Sequence, residues 1–461
     1  MNVIHFSANG WRARVDDGFN ESSVVRIAAA LGETWALRYE GSTILIGYDT
    51  RRDSKRLAVV AGQVLSALGM RAVVCDRVCP TPALSWAVAQ DPLCVGGVML
   101  TASRKPHEYG GILVRQDDGG PMSSMFAAAV DQRIAANPTD ARGEVIYADF
   151  LTPYLRAIEE QADCGLIASA GLTVVVDPMY GAGCRSVADL FERMGCKVIE
   201  VHGEPLSDFR GLHPDVREPW VDGCERAVIE NKADLGIVFD GDCDRFGIVD
   251  ETGRLVSPHD LAPLLLEHLV NQRGLRGRVV ATLPTSARIA RQADRLDCEF
   301  TMVPTGAESI YREIVEGDVI LAADESGCTC VPSFANHRDG ILGAAMMLEL
   351  IAGSSESVCE LVSRCEYEIG DMEYAFSKIN LDFGATQRLR NLLPGINPPD
   401  VLGDVPVRVS HAGGLRLELP DGAWVFISPS SMGARVAAEA PTARRARALL
   451  GFAASLARGW A

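Results

Sequence analysis

The feature that most constrains the fold is a repeated alternation of short apolar strands and helices. Runs rich in β-branched residues end in a turn and are followed by helical periodicity at 44–49, 172–178 and 278–284. In each case further strands then alternate with helices, such as 54–68, 182–194 and 285–295. Strands of this kind form sheets that helices cover on both faces. The pattern predicts three similar α/β/α domains with mixed sheets.

The last part of the chain follows a different pattern. Its apolar strands are separated only by short turns, at 405–409, 415–419 and 423–427. This spacing favours antiparallel pairing. A helix rich in Ala, Arg and Leu is predicted over about 442–458. We therefore expect a smaller C-terminal α+β domain and the following division of the chain: 1–150, 151–258, 259–368 and 369–461.

Charge and hydropathy exclude two classes of partner. The chain has 461 residues and a formal net charge of −17, whereas binding to nucleic acid needs a basic surface. Charged residues make up 23%, and no apolar run reaches the length of about 18 residues that a membrane span needs. The segment Met1–Phe6 lacks the basic and apolar parts of a secretion signal. These features favour a cytoplasmic protein, and they leave its oligomeric state unknown.

Three carboxylates occur at alternate positions directly after an apolar strand. Asp240, Asp242 and Asp244 follow the run 235–239, and Gly241 permits a sharp bend between them. Carboxylates this close repel one another unless a cation draws them together, and Mg²⁺ prefers oxygen ligands. The pattern indicates a Mg²⁺ site. The alternative is an acidic surface turn that binds nothing.

A serine follows another predicted strand, 94–100. Ser103 is flanked by Arg104 and Lys105, and strand-end loops of this kind face the ligand crevice of an α/β sheet. Two cationic side chains beside a hydroxyl would stabilise a phosphoryl group at that oxygen. The alternative is an ordinary polar turn.

A third polar segment follows the apolar run 319–321. If the chain stays extended there, Asp324 and Ser326 project to the same side. A carboxylate and a hydroxyl in that arrangement could bind paired sugar hydroxyls. The alternative is a solvated acidic turn.

These segments, in this order, resemble the α-D-phosphohexomutase family, which includes phosphoglucomutases, phosphomannomutases and phosphoglucosamine mutases. The resemblance covers nearly the whole chain. Segments 6–12 and 47–51 are similar to the family's F-G-T-D-G-W-R and G-x-D-x-R motifs, and 176–183 to the start of its second domain. Segment 421–440 resembles its final strand and phosphate loop. The resemblance implies four domains around one cleft.

The resemblance also implies a mechanism. A phosphoserine at Ser103 would give its phosphoryl group to a hexose phosphate, and the resulting bisphosphate would turn over and return its other phosphoryl group. Mg²⁺ would be held by Asp240, Asp242, Asp244 and a phosphate oxygen on Ser103, beside Arg245. A hexose 1,6-bisphosphate would serve as activator. Substrate contacts are expected from Arg12, Asp324, Ser326, Ser428, Ser430 and Arg435.

The chain departs from the family at residues that would do chemistry. The family's serine-loop motif is T-A-S-H-N-P-x-x-Y-N-G-x-K. In this chain Arg104 replaces the histidine, Lys105 the first asparagine and Leu113 the final lysine. That lysine is the family's proposed general acid and base. Positioned proton transfer contributes roughly 10²–10⁴-fold. We expect a slow mutase unless Lys105 or Arg104 reaches the same space.

The substrate loops depart as well. Asp324 stands for a glutamate, and Cys328 for a histidine. The family's R-P-S-G-T-E-P becomes 428–434, which lacks the arginine that clamps phosphate and is followed by a stretch about two residues short. Losing one charge-assisted hydrogen bond, worth about 1.5–3 kcal/mol, weakens binding by about tenfold or more. Arg435 could compensate from a different angle.

Three functions remain open from the sequence. The first is a Mg²⁺-dependent mutase that interconverts hexose 1- and 6-phosphates, with Ser103, Arg245, Arg104 and Lys105 as catalytic residues. The second is a catalytically weak homologue that binds sugar phosphates or a protein partner as a regulator. The third is a phosphatase-like variant that passes the phosphoryl group to water. The motifs do not identify the sugar, because glucose, mannose and glucosamine phosphates differ at C2.

Overall fold

The protein is described from a computed structural model that covers residues 3–39, 41–430 and 433–460. Within these ranges the chain forms four β-sheets, each built from strands of one continuous stretch. Three of these stretches are α/β/α domains with mixed sheets, and the fourth carries an antiparallel sheet, which confirms the predicted fold class. We keep 1–150, 151–258, 259–368 and 369–461 as the proposed domains. No helix in the described ranges is long and apolar enough to cross a membrane.

The first domain has a six-stranded sheet. Its order is β1-β5-β4-β2-β3-β6, with strands β1 Trp11–Arg14, β2 Thr43–Tyr48, β3 Arg71–Cys75, β4 Cys94–Leu100, β5 Tyr109–Arg115 and β6 Ile146–Ala148. The helices are α1 Glu21–Tyr39, α2 Ser54–Ala67, α3 Thr81–Gln90 and α4 Ser124–Asp131. Strands β2 and β4 are parallel, and β5 runs antiparallel to β4. The loop that carries Ser103, residues 101–108, therefore joins β4 to its antiparallel neighbour and is called the serine loop below.

The second and third domains have four-stranded sheets. In the second, the order β10-β9-β7-β8 is formed by β7 Thr173–Asp177, β8 Lys197–Glu200, β9 Leu235–Phe239 and β10 Phe246–Val249, with α5 Leu151–Gln161, α6 Cys164–Ala170, α7 Ser186–Arg193 and α8 Asp222–Asn231. In the third, the order β12-β11-β13-β14 is formed by β11 Arg278–Thr282, β12 Glu299–Val303, β13 Val319–Ala323 and β14 Thr329–Cys330. Its helices are α9 Pro258–Glu267, α10 Ala287–Arg295, α11 Ala307–Glu316, α12 Gly340–Ala352 and α13 Val358–Ile369.

Helix α7 begins four residues later than the sequence predicts. The preceding residues instead hold the loop after β9: the Ala182 N–H donates to the Gly241 carbonyl at 3.0 Å. A Cβ at Gly181 would lie 2.7 Å from the same carbonyl oxygen, so only glycine permits this approach. Arg185 then has a left-handed backbone with φ of 62°, which separates this turn from the helix.

The fourth domain has a five-stranded antiparallel sheet. Its order is β15-β19-β18-β17-β16, with β15 Glu373–Asn380, β16 Arg408–Ser410, β17 Leu415–Glu418, β18 Trp424–Ser430 and β19 Gly433–Ala440, and with helices α14 Phe383–Leu392 and α15 Ala443–Gly459. The predicted strand at 405–409 is wrong in its first half. Val405 and Val407 are exposed, and Pro406 has no N–H to donate to a sheet.

One face of the fourth domain's sheet packs on the third domain. Trp424, Phe426 and Ala437 form an apolar cluster with Leu283. Beside it, the buried Glu439 accepts hydrogen bonds from the Trp424 indole at 2.7 Å, from the backbone N–H at position 287 at 2.8 Å, and from the hydroxyl at position 286. Truncating such a carboxylate would leave buried donors unpaired, which costs about 1–3 kcal/mol for each donor. This contact positions the fourth domain over the cleft.

Candidate active site

The serine loop is shaped by a buried arginine from the first domain. Arg51 is paired with Asp49 at 3.1 Å. Its guanidinium donates to the carbonyl oxygens of Ser103 and Lys105, each at 2.5 Å, and of Pro106 at 2.7 Å. Three carbonyls that converge on one charged group fix the loop backbone. The aspartate and arginine at 49 and 51 thus position the serine.

The Ser103 hydroxyl lies between the carboxylate of Asp240 and the guanidinium of Arg245. Its Oγ donates to Asp240 Oδ2 at 3.3 Å and accepts from Arg245 Nη1 at 3.3 Å. Arg245 also donates from Nη1 to Asp240 Oδ2 at 2.7 Å and from Nε to Ser326 Oγ at 3.1 Å. A Cβ at Gly241 would lie 2.8 Å from the Ser103 carbonyl oxygen. The Arg245 guanidinium therefore links loops of three domains. The close approach of the Gly241 backbone to the Ser103 carbonyl requires a glycine at position 241.

The three aspartates are buried together after β9. Asp242 Oδ2 accepts a hydrogen bond from Thr81 Oγ1 at 2.7 Å. Burial, with the neighbouring charges of Asp240 and Asp244, raises the pKa of Asp242 to about 8. Burial also raises the pKa of Asp240. Burial and mutual repulsion disfavour the ionised form of these carboxylates, and a bound cation would stabilise that form.

The residues fit a hard divalent cation. Asp242 Oδ1 and Asp244 Oδ1 are buried and accept no hydrogen bond, and carboxylate oxygens are the ligands that Mg²⁺ prefers. The three carboxylates would have to draw closer around the ion. In the described part of the chain, three potential metal ligands with atoms within 4.8 Å of one another occur at Glu218, Asp222 and Glu225, away from the cleft. Asp240, Asp242 and Asp244 are spaced more widely than this.

The loop after β13 is a turn, so the extended chain that would project Asp324 and Ser326 to one side does not form. Asp324 Oδ1 accepts from the Ser326 N–H at 2.8 Å, from Ser326 Oγ at 2.7 Å and from the Cys328 N–H at 3.2 Å. Gly327 completes the turn with φ of 82°. The second oxygen, Oδ2, accepts from Arg338 Nη2 at 2.7 Å. Asp324 therefore shapes its own loop, and Ser326 is presented to Arg245.

The predicted site residues meet in one cleft between the domains. Its volume is about 870 Å³, and the lining includes Arg12, Ser103, Arg104, Lys105, Asp244, Arg245, Asp324, Ser326, Ser428 and Arg435. Asp240 and Asp242 are fully buried beside this lining. Ser430 is not among the described residues that line the cleft. All the other predicted residues are brought together.

The predicted C-terminal phosphate loop is largely strand. Strand β18 continues to Ser430, which pairs with Gly433 at the start of β19, and Ser428 pairs with Arg435. Residues 431–432 of the predicted loop lie outside the described residues. Ser428 and Arg435, which both line the cleft, therefore do so from strands.

Leu113 lines the cleft on β5, where the family resemblance would place a lysine. Arg115, two residues further along the same strand, also lines the cleft, and its Nη2 lies 3.8 Å from Asp244 Oδ1. Arg115 belongs to none of the sequence motifs described above. Strand alternation places it on the same face as Leu113 and could have revealed it.

Lys105 also lines the cleft. Its Nζ lies 5.4 Å from the centre of the Tyr109 ring. Burial lowers the pKa of Lys105, and the nearby Arg12 and Arg104 lower it further. Arg104 lies 3.7 Å from an Asp215 carboxylate oxygen and remains charged at neutral pH. Lys105 is thus better suited than Arg104 to exchange a proton.

The first three domains of the chain are similar to those of known sugar-phosphate mutases. The chain matches the descriptions "Phosphoglucomutase/phosphomannomutase, alpha/beta/alpha domain" I, II and III over residues 3–141, 152–253 and 257–367. It is 29% identical to a probable phosphoglucosamine mutase of Methanopyrus kandleri over 460 residues, 96% of each chain. It is 28% identical to a phosphoglucomutase/phosphomannomutase of Thermococcus kodakarensis over 367 residues, 77% of this chain and 79% of that one.

A solved structure shares the fold over the whole length. The phosphoglucomutase/phosphomannomutase family protein from Burkholderia thailandensis superimposes with a TM-score of 0.82 and 21% identity, covering 98% of this chain and 97% of the other. Four domains around a buried serine define a class of proteins that transfer phosphoryl groups on sugar phosphates. Within that class, the chain belongs to the phosphoglucomutase/phosphomannomutase family, the α-D-phosphohexomutases.

Proposed function

We propose that the protein is a Mg²⁺-dependent hexose-phosphate mutase that interconverts 1- and 6-phosphates through a phosphoserine at Ser103. The observation that supports this most strongly is the placement of the Ser103 hydroxyl. It lies at the cleft within 3.3 Å of both Asp240 and Arg245. In-line phosphoryl transfer requires chiefly positioning and charge stabilisation, and this arrangement supplies both.

In the forward half-reaction, an oxygen of the bound sugar phosphate attacks the phosphorus on Ser103. The new bond joins phosphorus to the sugar oxygen, and the bond from phosphorus to Ser103 Oγ breaks. The neutral amine of Lys105 takes the proton of the sugar hydroxyl and passes it to the departing Ser103 Oγ. Arg245 stabilises the negative charge on the departing Ser103 Oγ. When bound by Asp240, Asp242 and Asp244, Mg²⁺ would neutralise charge on the phosphoryl group.

The reverse half-reaction uses the same residues. The bisphosphate reorients in the cleft, and Ser103 Oγ attacks the phosphorus of its other phosphate. The bond to the sugar oxygen breaks, and Lys105 takes the proton of the attacking Ser103 hydroxyl and passes it to that oxygen. Phosphate, serine and lysine all return to their starting states. The net reaction moves a phosphoryl group from one sugar oxygen to another.

Turnover measurements test this proposal. We would supply glucose, mannose and glucosamine 1-phosphates with Mg²⁺ and a trace of hexose 1,6-bisphosphate, and detect the 6-phosphates. Ser103→Ala and removal of Mg²⁺ with EDTA should each abolish turnover of the preferred sugar. Ser169→Ala, which changes an exposed serine on α6, is the matched control and should leave the rate unchanged. Undiminished turnover by Ser103→Ala would contradict the mechanism.

One observation favours a second candidate, a binding protein with little activity. Leu113 faces the cleft where the family resemblance places the general acid and base. Such a protein should gain thermal stability with hexose phosphates but form no product. Release of inorganic phosphate would instead indicate the phosphatase-like variant. The same incubations, analysed for sugar phosphates and for inorganic phosphate, distinguish the three functions.

A further inference from the structure

The face of the fourth domain's sheet that turns toward the third domain is organised in rows across three strands. Two rows, Tyr374–Glu439–Trp424 and Phe376–Ala437–Phe426, follow the strand register of β15, β19 and β18. Trp424, Phe426 and Ala437 of these rows belong to the apolar cluster against the third domain. This contact determines where the next row of the same face lies.

That next row is polar and faces the cleft. Lys378 pairs with Arg435, which pairs in turn with Ser428. All three line the cavity that contains Ser103. Because successive side chains of a strand alternate between faces, Lys378 shares its face with Tyr374, and Ser428 shares its face with Trp424. The anchored rows thus direct two cations and a hydroxyl into the cleft.

Further cations line the same cavity. Arg104, Lys105 and Arg217 line it from the first and second domains. Two of these share a single carboxylate: Asp215 lies 3.7 Å from Arg104 and 2.9 Å from Arg217.

On the fourth domain, Arg435 is 4.0 Å from the nearest oxygen of Glu325. Within the described ranges, neither Lys105 nor Lys378 lies within 4.0 Å of a carboxylate. In a chain with a net charge of −17, these five cations have two carboxylates within 4.0 Å in the described ranges, those of Asp215 and Glu325. The five positive charges therefore outnumber the nearest negative ones.

These charges act on Lys378 itself. Burial lowers the pKa of Lys378, and the positive charges of Arg104, Arg217, Arg435 and Lys105 lower it further. A cation surrounded by other cations is stabilised by an anion placed among them. A phosphate with two negative charges would supply that anion and could accept hydrogen bonds from several of these groups at once.

We infer that Lys378, together with Arg435 and Ser428, binds the phosphate of the sugar phosphate that is not being transferred. This inference rests on the proposed function, because it requires a substrate with one phosphate at Ser103 and another further along the cleft. Strand-borne side chains here take over a task for which the chain has no arginine at the start of 428–434. Lys378, which lies 50 residues before Ser428 in sequence, becomes the specificity residue for that phosphate.

Binding measured without Mg²⁺ tests the inference, because it does not depend on phosphoryl transfer. Isothermal titration would compare glucose 6-phosphate with glucose for the wild type, Lys378→Met and Lys378→Arg. Lys197→Met, which removes an exposed lysine at the start of β8, is the charge-matched control. We expect Lys378→Met to weaken binding of glucose 6-phosphate by about tenfold or more, Lys378→Arg to retain most of it, and Lys197→Met to match the wild type.

Other outcomes overturn the inference in distinguishable ways. If Lys378→Met binds glucose 6-phosphate as tightly as the wild type, the inference fails and the proposed function stands. The variants would be compared with glucose 6-phosphate or, where the wild type binds it more tightly, with the 6-phosphate of mannose or glucosamine. If the wild type discriminates none of these three from its free sugar, both fail. Equal losses in Lys378→Met and Lys378→Arg, with a lowered melting temperature of the unliganded variants, would assign Lys378 a structural role and overturn it too.

Discussion

Replacing Arg245 by methionine should destabilise the metal-free protein strongly, because the change leaves a buried carboxylate without its cation. The Arg245 side chain is 8% exposed and that of Asp240 is 0% exposed, and their charged atoms are 2.7 Å apart. Removing one partner of a buried ion pair costs about 3–5 kcal/mol. For cooperative units of about 150–250 residues, a loss of 1 kcal/mol lowers the melting temperature by about 2–4 °C. Arg245→Met should therefore lower the apparent melting temperature in EDTA by roughly 10 °C.

A double variant separates this electrostatic cost from lost contacts. In Arg245→Met/Asp240→Asn both charges are absent. The asparagine oxygen can still accept the backbone N–H of residue 245, as Asp240 Oδ1 does at 3.1 Å, and its amide can donate to Ser103 Oγ. The double variant should therefore recover about 2 kcal/mol or more of the loss.

A surface pair provides the control for this prediction. Arg193 and Glu159 are 3.0 Å apart, with side chains 45% and 33% exposed. Exposed pairs contribute about 0–1 kcal/mol, so Arg193→Met should shift the melting temperature by no more than a few degrees. The reasoning would be refuted if the double variant melted no higher than Arg245→Met, since the unpaired charge would then not be the cause.

Two further predictions concern the proton exchanged during transfer. Leu113→Lys should raise mutase turnover, up to roughly 10²-fold, because a lysine stem can run along the apolar wall and present its amine to the cleft; no gain over a Leu113→Met control would show that another group already performs this task. Burial lowers the pKa of Lys105, so its neutral amine forms at a lower pH than that of a free lysine. Turnover should therefore rise with pH and level off below the ordinary lysine pKa, and Lys105→Met should lack this rise. An unchanged pH profile in Lys105→Met would exclude it as the base.

The parts of the site that the sequence predicts are those that depend on local structure. Ser103 and the three aspartates follow buried strands directly, and strand ends of neighbouring α/β units converge on one crevice. The helices α2 and α15 likewise lie close to their predicted ranges, because helical periodicity is a local signal. The fold class follows from the same signals.

The parts that the sequence does not predict depend on contacts between distant segments. Lys378 reaches the cleft only because Trp424 and Glu439 anchor its sheet to another domain. The turn at 324–327 forms because Asp324 accepts hydrogen bonds from its own loop, which competes with an extended chain. Arg115 lies 3.8 Å from Asp244, a residue of another domain, and this contact depends on how the domains pack.

The central claim is that Ser103 accepts a phosphoryl group, and the mass of the peptide that contains it tests this most directly. Purified protein would be incubated with a hexose 1,6-bisphosphate and Mg²⁺ and then digested. We predict a gain of one phosphoryl group on the Ser103 peptide that is absent when Mg²⁺ is chelated. A Ser103 peptide of unchanged mass, under conditions that load an authentic phosphohexomutase, would contradict the account.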